Sequence, residues 1–254
     1  MGSCEMTATE VAALLDLKPH PEGGYYAETF RDSSVSLTTA QLPPQYKVGR
    51  AVSTAIYFLL PAGSVSRLHR IPCAETWHFY KGEPLTVFEL HDDGHIDLTV
   101  IGPHLDAGQR PQYTVPPNVW FGSFPTLDVE SFASDGSHLV NSRKRDPEKH
   151  YSLVGCTCAP GFEYEDFKMA SFDDVKTIAP KAEPFLNYLI PSNNSLPAEA
   201  ARPPPAAPPR PASPDPSPPL SDQIRLSDPP DAPPPILLCW QQPLYRCNLT
   251  KWRA

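Results

Sequence analysis

Residues 63–82 of the chain read GSVSRLHRIPCAETWHFYKG, and this stretch decides the fold that we expect. Gly63 and Gly82 bracket three chemically versatile side chains, His69, Glu75 and His78. Glycines are typical of tight turns, and the residues between them favour two short strands. The stretch therefore predicts a pair of strands beside a pocket.

The spacing of Gly63, His69, Glu75 and Gly82 resembles the first motif of the cupin superfamily. One position departs from that motif, since Ile71 stands where it has a second His. Further segments resemble one cupin group of small single-domain proteins of unknown function: HPEGGYYAET from residue 20, ETWHFY from residue 75 and VGCTCAPGF from residue 154. The resemblance covers residues from about 10 to 190. It implies an all-β cupin fold, the double-stranded β-helix or jelly roll.

The pattern along the chain predicts a similar architecture. Residues 51–60 are rich in β-branched and aromatic side chains, and residues 85–90 and 96–101 flank Asp93–Gly94 as a hairpin. Short strands broken by turn residues favour an antiparallel barrel or a jelly roll. Short helices are expected at both ends, the first after a capping box at 7–10 and the last ones within 171–190.

The composition changes sharply near residue 190. Of the 34 prolines, 18 lie in the last 64 residues, whereas all 13 glycines precede residue 162. We expect one domain, residues 1–190, and a disordered Pro-rich tail, residues 191–254, because the tail has too few large hydrophobic residues to offset the entropy of ordering it. Residues 122–150 are predicted to form a mobile insertion, because they interrupt strands that the resembled group runs consecutively.

The net charge and the cysteine content limit which classes of partner and which cellular compartment we expect. A net charge of −8 without a basic cluster argues against nucleic acid, whose phosphates need Lys and Arg. We therefore expect a small-molecule ligand. The six cysteines show no paired framework and follow no signal peptide, which indicates a cytoplasmic protein without membrane association.

Two protein partners are considered. A homodimer is expected, because jelly rolls leave sheet edges open that a second subunit commonly covers. The Pro-x-x-Pro spacings of the tail are compatible with a proline-reading domain, but a flexible tail without a partner is the favoured interpretation.

Three chemical interpretations of the pocket stay open. In the first, His69, Glu75 and His78 hold a divalent metal, although strand alternation turns His78 to the other face unless a bulge intervenes. In the second, His69 and Glu75 work without metal as an acid–base pair, as in the metal-independent cupin epimerases that act on keto-sugars of nucleotide diphosphates. In the third, the barrel binds or stores a ligand without turnover. The cofactor is therefore unknown, with a divalent metal as one alternative.

As an enzyme, the protein is predicted to be an isomerase or epimerase that acts on a polar, sugar-like or anionic metabolite. His69 would be the base and Glu75 its partner or the acid. Arg67, which shares the face of His69 by alternation, would hold the charge of the substrate. The other expected substrate-binding residues are Gln112, which would orient the substrate, Trp77, Trp120 and Glu22.

Overall fold

The computed structural model describes residues 6–191, and the predicted disordered tail lies outside these residues. Within them the chain forms three α-helices: α1 (Ala8–Leu14), α2 (Phe172–Lys176) and α3 (Glu183–Leu189). Its strands in chain order are β1 (Lys18–Pro19), β2 (Tyr25–Arg31), β3 (Ser36–Leu37), β4 (Arg50–Ala51), β5 (Thr54–Pro61), β6 (Ser66–Arg70), β7 (Ala74–Gly82), β8 (Leu85–Leu90), β9 (Ile96–Ile101), β10 (Gln112–Val115), β11 (Trp120–Pro125), β12 (Val129–Phe132), β13 (Leu139–Asn141), β14 (Tyr151–Ala159) and β15 (Lys168–Met169). Within the described part of the chain, no helix has the length and apolar character that crossing a membrane requires.

Two sheets face each other and form the predicted all-β jelly roll, which is confirmed. The six-stranded sheet has the order β1-β2-β5-β14-β7-β10, and the five-stranded sheet the order β15-β6-β11-β8-β9. Strands that are neighbours in a sheet pair in antiparallel fashion, although most are distant in sequence. Two small pairs, β3-β4 and β12-β13, complete the set.

Local sequence explains where the strands turn. The predicted hairpin at Asp93–Gly94 is confirmed, with β8 and β9 paired over their whole length and Gly94 at φ 85°. Gly82, which ends β7, has φ 89°, and a Cβ atom there would lie 2.2 Å from the carbonyl oxygen of Tyr151. Only glycine fits such a position without strain, so the chain can leave β7 and pass close to β14.

The described residues form three hydrophobic clusters, of which the two larger ones lie on either side of the five-stranded sheet. The inner core lies between the two sheets and contains, among others, Phe58, Leu60, Trp77, Val87, Phe121 and Val154. The helix-side core lies between the other face of the five-stranded sheet and helices α2 and α3, and contains Leu68, Phe88, Trp120, Phe124 and Phe185. Alternation along each strand turns successive side chains to opposite faces of its sheet, and the inner faces of both sheets meet in the inner core, where a ligand site can form.

The ends of the domain agree with the sequence pattern. Thr7 caps α1 through the predicted capping box with Glu10, and Val11 packs α1 onto Leu59 and Leu153 of the six-stranded sheet. Ser171 caps α2 in the same way. Helices thus cover part of each sheet from the outside.

The segment 122–150 carries more regular structure than the predicted loop. It contains the end of β11 and the β12-β13 hairpin, whose Phe132 ring lies 6.0 Å from that of Phe185. The guanidinium of Arg145 binds the carboxylates of Glu83 and Asp128, which ties the segment to the start of β8. Its mobility stays a prediction.

Candidate functional site

Four titratable side chains meet in the interior of the jelly roll, and we call them the interior cluster: His20, Glu22, His69 and Glu75. His69 lies on β6 of the five-stranded sheet and Glu75 on β7 of the six-stranded sheet. His69 is 2% exposed and Glu75 8%. His20 and Glu22, which lie in the turn between β1 and β2, are buried as well. The structure thus brings the predicted catalytic pair together with Glu22.

The β1-β2 turn positions Glu22 through its two glycines. Gly23 has φ 112° and Gly24 has φ 67°, and a Cβ atom on Gly23 would lie 2.2 Å from the carbonyl oxygen of Val65. This close approach allows the backbone N–H of Arg67 to donate to the carbonyl oxygen of Glu22 at 2.8 Å. The HPEGG sequence therefore docks the turn directly against β6.

One ring nitrogen of His69 contacts two oxygen atoms, and the other is available to accept a proton. Its Nδ1 lies 2.8 Å from the carbonyl oxygen of Arg67 and 3.2 Å from Oε2 of Glu22. Because a carbonyl oxygen only accepts hydrogen bonds, this contact favours the tautomer with the proton on Nδ1. Nε2 then carries the lone pair that can accept a proton. The ring is held by Phe121 and Phe167, with centroids 4.1 and 5.0 Å away.

His20 adopts the opposite tautomer and links the cluster to two tyrosines. Its Nδ1 accepts from the backbone N–H of Glu22 at 3.3 Å, so Nε2 carries the proton and faces the hydroxyl of Tyr164 at 3.5 Å. The Tyr164 hydroxyl donates to that of Tyr26 at 3.4 Å. His20, Tyr26 and Tyr164 are not among the site residues that the sequence predicts. A signal is present in the sequence, because Tyr26 belongs to the HPEGGYY segment and Tyr164 lies two residues after the VGCTCAPGF segment.

Burial shifts the pKa values in the interior cluster in the directions that favour uncharged side chains: upward for the carboxyls and downward for the imidazoles. Loss of hydration raises the pKa of Glu22 to about 8. Loss of hydration, followed by the negative charge of Glu22, raises the pKa of Glu75 to about 7. Burial, helped by repulsion from His69, lowers the pKa of His20 to about 3, and burial also lowers the pKa of His69. Near pH 7 the cluster therefore holds two neutral imidazoles, a protonated Glu22 and a Glu75 that can gain or lose a proton.

Two cysteines of β14, Cys156 and Cys158, lie beside Glu75, and Cys73 hydrogen-bonds to Cys158. Cys73, Cys156 and Cys158 are free and buried. The Cys156 thiol hydrogen-bonds to Glu75, and burial raises the pKa of this thiol well above its usual value. Cys156 is therefore a neutral donor to the carboxylate rather than a nucleophile.

The predicted metal trio is not assembled, because His78 lies on the other face of β7. Four consecutive residues of β7, from Glu75 to His78, pair without interruption with Cys158 to Gly155, so no bulge turns His78 inward. Its ring instead stacks on that of Tyr80 at 6.5 Å. Among residues 6–191 no group of three or more His, Cys, Asp or Glu side chains has an arrangement that could hold a metal ion. The donor set does not fit a metal centre.

Two of the predicted substrate-binding residues lie away from the cluster. Trp120 belongs to the helix-side core, where Arg70 and Lys168 lie over its ring, while its neighbour Phe121 faces His69. Gln112 is exposed and pairs with His78, which places it on the outer face of the six-stranded sheet. Both predictions are corrected for one reason: a shift of one residue along a strand moves a side chain to the opposite face.

Trp77 and Arg67 hold polar atoms that the described residues leave unpaired. Trp77 is 1% exposed in the inner core, between Phe58 and Phe121, and its buried Nε1 has no hydrogen-bond partner among residues 6–191. The guanidinium of Arg67 makes no ion pair within the same residues, and its Nε is buried without a partner. The β6-β11 pairing shifts register beside Arg67, which breaks the alternation used to assign its face. Burial lowers the pKa of Arg67.

Comparisons with known proteins agree with this fold. The family model described as "Cupin superfamily (DUF985)" matches residues 9–170. Protein SO0799 from Shewanella oneidensis is 29% identical, with a TM-score of 0.57 over 73% of this chain and 98% of that protein. A hypothetical protein from Leishmania major is 30% identical, with the same TM-score over 72% of this chain and 98% of its own. None of the curated proteins matches the chain. The family match covers most of the domain, and the matched residues include the interior cluster. We conclude that the chain belongs to the cupin superfamily, in the family described as DUF985.

Proposed function

We propose that the protein is a small-molecule-binding cupin of the cytoplasm that catalyses acid–base isomerisation or epimerisation of a polar, sugar-like or anionic metabolite. Membership of the cupin superfamily supports the binding of a small molecule. One observation carries the catalytic part. It is the meeting of His69 with two carboxyl groups whose pKa values burial raises to about 8 for Glu22 and about 7 for Glu75.

Isomerisation by proton transfer requires one group that removes a proton from carbon and one that returns it. In the proposed reaction Nε2 of His69 accepts the proton from a carbon next to a carbonyl group, which leaves an enolate on the substrate. The imidazolium that forms is stabilised by the carboxylate of Glu75, whose charge already favours the protonated form of His69. Protonated Glu22, or Glu75 once it is protonated, returns a proton to the carbon. Solvent then takes the proton from His69 and protonates the carboxylate again, which restores the starting state for the next turnover.

Buried polar atoms that have no partner among the described residues support a polar or anionic ligand. The Arg67 guanidinium is half-buried and has no carboxylate partner among the described residues, so an anionic group of the substrate would satisfy it. The buried Trp77 Nε1 is a donor without a partner among the same residues, which suits a hydroxyl or carbonyl oxygen. Arg67 and Trp77 thus remain proposed substrate-binding residues.

Binding without turnover is the second candidate function. It is favoured by the hydrogen bonds within the cluster, since Nδ1 of His69 is held by Arg67 and Glu22, and His20 is held by Glu22 and Tyr164. A cluster that satisfies itself in this way can serve to shape the pocket and exclude charge without moving a proton.

The test identifies the natural ligand and follows its protons. Untagged full-length protein is purified from cell extract, the co-purified small molecule is identified by mass spectrometry, and incorporation of deuterium from solvent into its carbon is measured. For His69→Ala and Glu75→Gln we expect incorporation to fall by roughly 10²–10⁴-fold, the usual contribution of a general acid or base. The matched controls His104→Ala and Glu130→Gln change exposed residues and should retain wild-type rates.

Two outcomes would separate the candidate functions. If both cluster variants exchange the ligand as fast as wild type, the catalytic assignment is wrong. If wild type binds the ligand in a defined ratio but exchanges none of its carbon-bound protons, binding without turnover is the function.

A further inference from the structure

Four polar side chains lead from the interior cluster toward the surface of the domain, and we call them the polar path: Glu22, His20, Tyr164 and Tyr26. Oε1 of Glu22 lies 3.7 Å from Nδ1 of His20. Nε2 of His20 lies 3.5 Å from the hydroxyl of Tyr164, which lies 3.4 Å from that of Tyr26. Glu22 and His20 are buried, whereas both tyrosines are partly exposed. The polar path therefore connects a buried carboxyl with groups that lie nearer to solvent.

The donors along the polar path all point away from Glu22. Nδ1 of His20 accepts from the backbone N–H of Glu22, so the lone pair of this ring faces the buried end and its proton lies on Nε2. That proton faces Tyr164, whose hydroxyl in turn donates to Tyr26. Each member thus has an acceptor toward the buried end and a donor toward the outer end. This is the order that outward passage of a proton requires.

Packing of the rings keeps the members of the polar path in this order. The rings of His20 and Tyr26 meet edge-on at 4.5 Å, and the ring of Tyr164 stacks on that of His20 at 6.4 Å. Phe162 meets Tyr164 edge-on at 4.9 Å. Because packed rings have few alternative positions, their polar atoms stay within a small rotation of hydrogen-bond contact.

We propose that the polar path is a proton relay that exchanges the carboxyl proton of Glu22 with solvent. The inference rests on the proposed function, in which Glu22 returns a proton to the carbon of the substrate. The relay supplies this carboxyl with protons from solvent although it is buried. His20, Tyr164 and Tyr26 are then positioning residues, because they act on the substrate through Glu22.

The protons balance at every step of the relay. Oε1 of Glu22 gives its proton to Nδ1 of His20, while Nε2 of His20 gives its own proton to Tyr164. The hydroxyl proton of Tyr164 passes to Tyr26, which releases one proton to water. Glu22 is then a carboxylate, and His20 carries its proton on Nδ1. A solvent proton that enters at Tyr26 reverses each step, so that Glu22 has exchanged its proton.

Burial favours a passage in which the relay groups stay uncharged. Burial, followed by repulsion from His69, lowers the pKa of His20 to about 3. Burial, followed by the hydrogen bond to Tyr26, raises the pKa of Tyr164. Neither the imidazolium of His20 nor the phenolate of Tyr164 is therefore stable at neutral pH, and a concerted passage forms neither, because each group gives one proton as it takes one. Only Glu22 changes charge, and its pKa of about 8 makes the carboxylate accessible near neutral pH.

Infrared spectroscopy of the full-length protein tests the relay without any ligand. The C=O stretching band of protonated Glu22 is assigned, at a pH below the pKa of this residue, from the difference between wild type and Glu22→Gln. Its shift is then followed after rapid mixing with D2O. We expect Tyr164→Phe and Tyr26→Phe, which keep the ring and lose the hydroxyl, to slow this shift at least tenfold. The matched control Tyr25→Phe removes a more exposed hydroxyl from the same strand and should exchange at the wild-type rate.

Equal exchange rates in wild type and both tyrosine variants overturn the relay, because solvent then reaches Glu22 by another route. The absence of a protonated Glu22 band overturns it as well, since the relay then has no proton to carry. If one variant does not fold, as near-ultraviolet circular dichroism reports, the other variant decides. Slowed exchange together with a ligand that gains no deuterium contradicts catalysis alone, whereas deuterium gain with unchanged exchange rates contradicts the relay alone.

Discussion

At the scale of single residues, the cluster depends on protons that burial keeps in place. Glu22 and Glu75 lie where water cannot stabilise a negative charge, and the backbone partners of His20 and His69 select opposite tautomers. The result is a proton donor and a proton acceptor within one water-poor site. Such an arrangement has a measurable effect on stability as well as on chemistry.

The stability of the protein should fall between pH 6.5 and 8. In the unfolded chain Glu22 and Glu75 lose their protons near their usual pKa of 4.5, whereas the folded cluster retains them up to about pH 8 and pH 7. Each retained proton lowers the free energy of unfolding by ~1.4 kcal/mol per pH unit. His20 has the opposite effect, but only below its usual pKa of 6.5, because there the unfolded imidazole gains a proton that the folded one does not.

The variant Glu22→Gln lacks the carboxyl at position 22, so the folded and unfolded states no longer differ in the number of protons bound there. We expect its free energy of unfolding, measured by urea titration at four pH values from 6.5 to 8, to fall less steeply with pH than that of wild type. The control Glu130→Gln changes an exposed carboxyl and should follow wild type. Parallel curves for wild type and Glu22→Gln would contradict the raised pKa of Glu22.

At the scale of elements, the β12-β13 hairpin shows how an inserted segment is held to a jelly roll. Hydrophobic contact with α3 through Phe132 accounts for one attachment. The other is the partly buried Arg145, which bridges Glu83 and Asp128, while Asp128 also accepts from the backbone N–H of Gly63 at 2.7 Å. Buried charges that are paired in this way destabilise a structure strongly when one partner is removed.

Replacing Arg145 should therefore loosen the segment 122–150. We expect limited chymotrypsin digestion to cut Arg145→Met within this segment several-fold faster than wild type, because the carboxylates of Glu83 and Asp128 lose their cation. Arg143→Met is the matched control, since Arg143 is exposed, and it should be cut at the wild-type rate. Equal rates for all three proteins would show that the ion pairs do not hold the hairpin.

At the scale of the whole molecule, residues 6–191 contain both sheets and the side chains that pack against the inner and outer faces of these sheets. The inner core joins the sheets, and the helix-side core and α1 close their outer faces in part. Every strand that builds the interior cluster has its neighbours within this range. We therefore expect the cupin domain to fold by itself.

A chain that ends at Asn194 should keep the fold of the domain. We expect a β-dominated circular dichroism spectrum and one cooperative thermal transition, with the same midpoint as that of the full-length protein within ~2 °C, because every core residue that the structure describes is kept. A helical spectrum, or a broad transition without cooperativity, would show that residues after 194 are required for folding.

Much of the fold and part of the site could be predicted from neighbouring residues in the sequence. Turn glycines, the Asp93–Gly94 hairpin and the capping boxes act within a few residues, so their effects are visible in the sequence. The pairing of His69 with Glu75 was also predicted, because one short turn separates their strands. Trp120 and Gln112 were misplaced because the sequence does not indicate which face of a strand meets the inner core.

The sequence by itself determined that this chain is a jelly roll with a His and a Glu at its centre, because strand propensity, turn geometry and the family motifs are local properties. Only the tertiary structure decided which distant residues meet there. It brings the β1-β2 turn against β6, places Glu22 3.2 Å from His69, and adds Tyr164 from the far end of the domain. Burial in that assembly, which no short segment determines, then raises the pKa of both carboxyls and makes proton transfer near neutral pH feasible.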